Sequence, residues 1–338
     1  MAPTRLLWPD VTKGLAIILI VLGHVLRGLQ SANLLPANFP FQLIDTLIYT
    51  IHVPVFFFIS GYFLTLAASQ SWPQFLKNKL LWIALPYLLW SALQGSVGVL
   101  LAGSTNHTVT WQHVLATPWY PLGQFWFLHA LLVLQLLLFA LRKTPLSFLW
   151  LLAIAGWLFG HAFGWRLDGS NLSWPFYAIF LLAGYHCKQL TPLLTTKITP
   201  IRHPLIITLI PIVLFIITEA TLLQSGIRYG SPWLLAGNIT AIAAMLALGH
   251  LLSQPVRWLS HLTRFLQWAG QGSMAILVMH ILATAGTRII LEKLAPLLTI
   301  TPTPTLHIVA GTLVGTLAPL LALTVLKKLN LNPLLGLR

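Results

Sequence analysis

Charge is what this sequence has least of. Only 7% of its 338 residues are Asp, Glu, Lys or Arg, against about 25% in a soluble domain. Just five are acids (Asp10, Asp45, Asp168, Glu219 and Glu292), so a proton relay built from carboxylates is poorly supplied. A single cysteine, Cys187, excludes an internal disulfide and any Cys-rich metal site. The nucleotide P-loop, the G-x-S-x-G nucleophile elbow and the H-E-x-x-H zinc motif are all missing. No linker, low-complexity tract or internal repeat is visible, which disfavours the repeat-built transporter plan. What remains is apolar: 57% of residues are hydrophobic and the mean hydropathy is +0.84. That composition indicates an integral membrane protein, and fourteen Trp and seventeen Phe suit aromatic belts at its interfaces.

Apolar segments of spanning length recur at about 13–30, 44–66, 79–102, 125–142, 146–164, 173–189, 203–223, 233–252, 268–290 and 306–328. The expectation is an all-α integral membrane fold of about ten transmembrane helices, one membrane-embedded domain over 1–338 with no appended soluble domain. Asp10 and Lys13 precede the first apolar run and no small-x-small site follows it, so the run reads as a permanent span rather than a cleaved signal. The net charge of +14 would point to nucleic acid in a soluble protein. Here it tests topology. With the N-terminus inside, Arg5, Lys13, Lys77, Lys79, Arg142, Lys143, Lys188, Lys197, Arg202, Arg257, Arg264, Lys327, Lys328 and Arg338 all fall inside. Only Arg27, Arg166, Arg228, Arg288 and Lys293 fall outside. This positive-inside bias predicts both termini in the cytoplasm. The expected setting is a multi-pass protein of the cell inner membrane with no nucleic-acid partner. The longest polar loop, about 103–124, carries Asn106, His107, Trp111, Gln112, His113, Trp119 and Tyr120. Aromatic and amide groups there suit a sugar or lipid headgroup, as well as an ordinary interfacial loop.

Against this background the histidines stand out. His24 follows Lys13 by eleven residues on one very apolar stretch, so a helix places it roughly 16 Å along from Lys13. If Lys13 marks a membrane surface, His24 lies near the middle of the ~30 Å hydrocarbon layer. An ionisable group at that depth is costly and points to function. His52 and His280 fall at similar depth on the second and ninth expected spans. Pro54, two residues after His52, frees a backbone carbonyl and permits a local break lining a cavity. Ser60 and Gly61 permit close helix approach. Asp10 either caps the first helix or pairs with Lys13. The three histidines lack a helical His-x-x-x-His spacing or a nearby carboxylate, so no metal is expected.

Several motifs occur in order: Asp10-Val-Thr-Lys13-Gly14 then Gly23-His24; His52-Val-Pro54 running to Phe58-Ile-Ser60-Gly61-Tyr62; Lys77-Asn-Lys79 then Leu85-Pro86-Tyr87; Phe125-Trp126-Phe127-Leu128; and Gly270-Gln271-Gly272-Ser273 leading to His280. Together they resemble the acyltransferase-3 family of membrane O-acyltransferases, and most closely its fucose 4-O-acetylase-like branch. The resemblance covers about 5–330. It implies transfer of an acyl group, usually acetyl, from cytoplasmic acyl-CoA to a hydroxyl of a carbohydrate, glycolipid or polysaccharide. It also implies that His24 is catalytic. The family commonly has Arg where this chain has Lys13, and a basic R-x-x-R pair where Lys79 is followed by Trp82; Lys77 can substitute.

The residues alone are compatible with that chemistry. Transfer to a hydroxyl needs a base, and imidazole ionises near working pH. The expected site is therefore His24, His52 and His280 for catalysis. Lys13, Lys77, Lys79 and Trp126 would receive acetyl-CoA or another acyl-CoA, and Asp10 and Arg288 would serve substrate binding. Direct attack by the acceptor and a transient acyl-histidine both stay open, as does a homo-oligomer. The competing class is a transporter for a sugar, lipid-linked glycan or small anion, with the histidines as binding or proton-coupling groups. A third is a membrane interaction protein without catalysis.

Overall fold

A computed structural model of the protein describes residues 6–102, 108–162, 174–195, 204–227, 231–295 and 302–337. Arg5, Asn106, His107, Arg166, Asp168, Lys197, Arg202, Arg228 and Arg338 lie outside the described residues. The described residues form helices and turns with no strand. In order, the α-helices are α1 (Trp8–Ser31), α2 (Phe41–Leu64), α3 (Trp72–Lys79), α4 (Leu85–Leu100), α5 (Trp111–Leu115), α6 (Trp126–Ala140) and α7 (Leu146–Ala162). They continue with α8 (Trp174–Thr195), α9 (Pro204–Gln224), α10 (Leu234–Leu252), α11 (Ser260–Gln271), α12 (Ser273–Leu294) and α13 (Pro304–Lys328).

Seven helical stretches among the described residues are long and apolar enough to cross a membrane: Trp8–Ser31, Phe41–Ala67, Trp72–Leu100, Gly123–Ala140, Leu234–Leu252, Ser273–Leu294 and Pro304–Lys328. Leu146–Ala162 and Thr208–Gln224 are apolar but shorter. Large apolar side chains on α7, α9 and α13, such as Leu151, Ile216 and Leu321, are exposed on the outside of the bundle, as lipid-facing residues are. The protein is a multi-pass membrane protein.

Three local departures from the expected spans have physical causes. The stretch expected as one span at 268–290 is two helices that meet at Gly272. Its first part, α11, is amphipathic and lies beside the start of α1. His280 is therefore seven residues into α12, not about twelve into a longer helix. Between α3 and α4 the helix widens to a π-turn over Leu80–Ala84. Pro86 follows two residues later, and in a regular helix its ring would meet the Trp82 carbonyl. The loop at 103–124 holds a short helix, α5, whose start is closed by a reciprocal cap between Thr110 and His113.

Glycines set two close backbone-to-backbone helix contacts. A Cβ on Gly61 or Gly184 would land on the backbone of the other helix of the α2–α8 pair, and Gly14 and Gly270 do the same for α1 and α11. This is the close approach expected of Gly61.

Pro54 shows where a missing N–H leads. It leaves the Thr50 carbonyl without its helical partner, and the Asn238 side chain of α10 donates to that oxygen at 2.9 Å. His52 does not serve it; its Nδ1 donates to the Ile48 carbonyl at 2.6 Å instead. Asn238→Ala is expected to destabilise the protein by about 1–3 kcal/mol, the cost of an unsatisfied buried acceptor. Pro54→Ala restores a helical donor, so the double variant is expected to melt above Asn238→Ala alone. Thermal unfolding in detergent checks both.

Candidate active site

Four helices converge around His24. Gly23, just before it, is pressed against α2: a methyl there would come within 3.0 Å of Ile48 and 3.2 Å of Tyr49. The Gly23-His24 pair therefore brings Tyr49 beside the histidine. Gly315 performs the same service for α13, lying against Val21 of α1 and Thr284 of α12 near the His280 carbonyl.

The three sequence-expected histidines come together. The His24 and His280 rings are 5.0 Å apart between centroids. Tyr49 stands edge-on to both His24, at 6.3 Å, and His52, at 4.6 Å. His52 and His280 are buried, at 2% and 0% exposure, whereas His24 keeps part of its surface accessible. The tautomers follow from the acceptors. Nδ1 of His280 lies 2.9 Å from the carbonyl oxygens of both Ile276 and Leu277. A carbonyl only accepts, so Nδ1 carries the hydrogen and neutral His280 presents a lone pair on Nε2. That Nε2 is buried without a hydrogen bond among the described residues. His52 is fixed the same way by Ile48. His24 makes ring contacts only; among the described residues it has no hydrogen bond.

Sequence reasoning missed the next layer. Arg27, one turn beyond His24 on α1, forms a two-pronged ion pair with Asp45 of α2 at 2.7 and 2.9 Å. Its guanidinium also lies 3.5 Å from the centre of the Tyr49 ring. The signal was present as spacing: His24 and Arg27 are three apart, Asp45 and Tyr49 four, Tyr49 and His52 three, which places each pair on one helix face. A second missed residue is Glu219 of α9. It is 2% exposed, and its carboxyl oxygens have no hydrogen bond among the described residues.

The other expected residues are placed as follows. Asp10 and Lys13 form an ion pair at 2.9 Å, buried at Asp10. Asp10 sits in the first turn of α1 rather than at its cap, so pairing is the role observed. Lys13 lies five residues after the helix start, and its side chain keeps 24% exposure while Asp10 is buried. Lys77 is exposed on α3, and the Lys79 ammonium lies 4.9 Å above the Phe75 ring. Trp126 is buried in an aromatic cluster, 5.1 Å from Tyr177 and next to Phe127. Tyr177 and Tyr49 both border a cavity of about 40 Å³ that also touches His161 and Asn238, room for a water or two. Arg288 is not with the histidines. It pairs with Glu292 at 3.3 Å, eight residues and roughly 12 Å along α12 from His280. Among the described residues no group of three or more His, Cys, Asp or Glu side chains has the arrangement of a metal site.

A family model described as an acyltransferase domain matches residues 6–324. No curated protein matches the chain, and no solved structure does.

Proposed function

The chain belongs to the acyltransferase family whose domain spans residues 6–324, and from that premise we propose that it moves an acyl group, in the first instance acetyl, from cytoplasmic acyl-CoA to a hydroxyl of a carbohydrate, glycolipid or polysaccharide. The observation that carries the proposal is the pairing of a partly accessible His24, free of hydrogen bonds among the described residues, with a His280 whose Nε2 lone pair faces no donor.

In this reading His24 is the general base. As the acceptor oxygen forms a bond to the thioester carbon, His24 takes the hydroxyl proton; as the C–S bond breaks, the proton goes to the departing thiolate, releasing CoA-SH and the ester. His280 is a positioning residue. Its unpartnered Nε2 is the acceptor available to a His24 N–H once the His24 ring turns on binding the acceptor, and that turn aims the remaining His24 lone pair at the hydroxyl, in the manner of a base held by a third group. His52 and Tyr49 form the wall on which His24 rests. Arg27 brings positive charge toward that wall, where oxyanion character develops. Transfer is direct; a trapped acyl-histidine would overturn that step.

Ten crossings follow when α7, α8 and α9 join the seven long spans. Lys13, Lys77, Lys79, Lys327 and Lys328 then lie on the cytoplasmic face of an inner membrane, where the donor arrives. Labelled acetyl-CoA given to purified protein in detergent, with a sugar or glycolipid acceptor, is expected to yield an O-acetyl ester and free CoA. Glu219 is the one observation favouring a transporter, because buried acids in membrane helices serve proton coupling. Donor-independent sugar flux into liposomes, abolished by Glu219→Gln, would establish that class instead.

A further inference from the structure

At the end of the molecule where α1 begins, a groove of about 350 Å³ opens between α11 and the last turns of α13. It falls within the size range of small-molecule sites. Trp268 and Gln271 form one wall; Leu323, Thr324, Lys327 and Lys328 form the other. The indole is 37% exposed, and both lysines are exposed. Neither lysine has an ion-pair partner among the described residues. An indole face, an amide and two unpaired ammonium groups offer a base a stacking surface, its edge a hydrogen-bond partner, and phosphate two charges.

Side-chain contacts link the groove wall to the start of α1. Gln271 Nε2 reaches the Asp10 carboxylate at 3.5 Å, and Asp10 holds Lys13 at 2.9 Å. Lys13 is roughly 16 Å from His24 along α1, a separation an extended pantetheine arm can span. Ser273, next to the groove wall, begins the helix that carries His280 seven residues later.

We propose that this groove binds the adenosine 3′,5′-bisphosphate end of acyl-CoA, with the purine against Trp268 and the 3′-phosphate at Lys327 and Lys328. The proposal rests on the reading of the protein as an acyl-CoA-dependent enzyme. It moves the nucleotide contact away from Lys77 and Lys79 on α3. An anionic lipid headgroup presents the same phosphate chemistry to lysines at a helix end, so the test separates the two.

The experiment compares acetyl-CoA with acetyl-dephospho-CoA, which lacks the 3′-phosphate, using the full chain in nanodiscs of zwitterionic lipid and of anionic lipid. The wild-type protein is expected to show a KM about tenfold or more lower for acetyl-CoA. Lys327→Ala/Lys328→Ala is expected to raise the KM for acetyl-CoA by a similar factor, leave that for acetyl-dephospho-CoA nearly unchanged, and spare kcat. Trp268→Leu is expected to raise both KM values. Equilibrium dialysis with labelled adenosine 3′,5′-bisphosphate gives a readout that needs no turnover, and the double variant is expected to lose binding. A KM ratio untouched by the double variant overturns the proposal. So does an effect that follows the anionic lipid content rather than the 3′-phosphate. Absence of any acyl-CoA turnover overturns the enzyme reading; retained, lysine-dependent binding of the bisphosphate in that case still supports a nucleotide site.

Discussion

Exchanging His24 for Asn lowers the turnover of acyl transfer by roughly 10²–10⁴-fold, the range that a positioned general base supplies, with the helical content and melting behaviour of the protein nearly unchanged. Stability is spared because His24 makes no hydrogen bond among the described residues and keeps part of its surface accessible. Asn fills less space there and leaves no buried partner unsatisfied. The KM for the donor is expected to stay within a few-fold, since the imidazole acts on the acceptor proton. A variant at His280 discriminates positioning from simple packing. Gln at 280 has an amide oxygen that accepts from His24 and an amide nitrogen that donates to the Ile276 carbonyl. His280→Gln is therefore expected to keep more activity than His280→Leu, although Leu suits the apolar surroundings better. Equal loss in both would leave His280 a packing residue, and full turnover by His24→Asn would remove the base from the mechanism altogether.

The trio was legible because ionisable groups in long apolar runs are few, and because helical rise converts sequence spacing into depth. Their meeting was not legible: α1, α2 and α12 are brought together by Gly23 and Gly315, whose close contacts exist only once the helices cross. The second-layer group was partly legible. Arg27 reads from its position as a topology marker, and only the one-face spacing with His24 hints at more. Its partner Asp45 comes from the neighbouring helix, so the pair needed the α1–α2 register. Hydropathy also ran straight through Gly270-Gln271-Gly272, joining what the backbone separates into α11 and α12. A helix lying along the surface and a helix that crosses share an apolar face, and a window average does not distinguish them.

Asp45→Ala is expected to be the most damaging change outside the histidines, and more damaging than removing the whole ion pair. Both partners are largely enclosed, Arg27 at 27% and Asp45 at 13% side-chain exposure. Removing one charge from an enclosed pair costs about 3 kcal/mol, the lower end of the range for buried pairs. Replacing both by apolar residues removes the desolvation cost along with the attraction, so Arg27→Leu/Asp45→Leu is expected to melt above Asp45→Ala. Activity should order differently. The guanidinium that Asp45 holds lies 3.5 Å over the Tyr49 ring, and that ring stands edge-on to His24 and His52. The double variant recovers stability but loses both the stacked cation and the fixed tyrosine, so its kcat is expected to fall by about tenfold or more, as misplacement of a site wall by a fraction of an ångström to one ångström does. A double-mutant cycle on melting and on kcat reads the two terms separately. Coupling in stability without coupling in kcat would confine the pair to holding α1 against α2, while coupling in both ties the charge pair to the histidine it flanks.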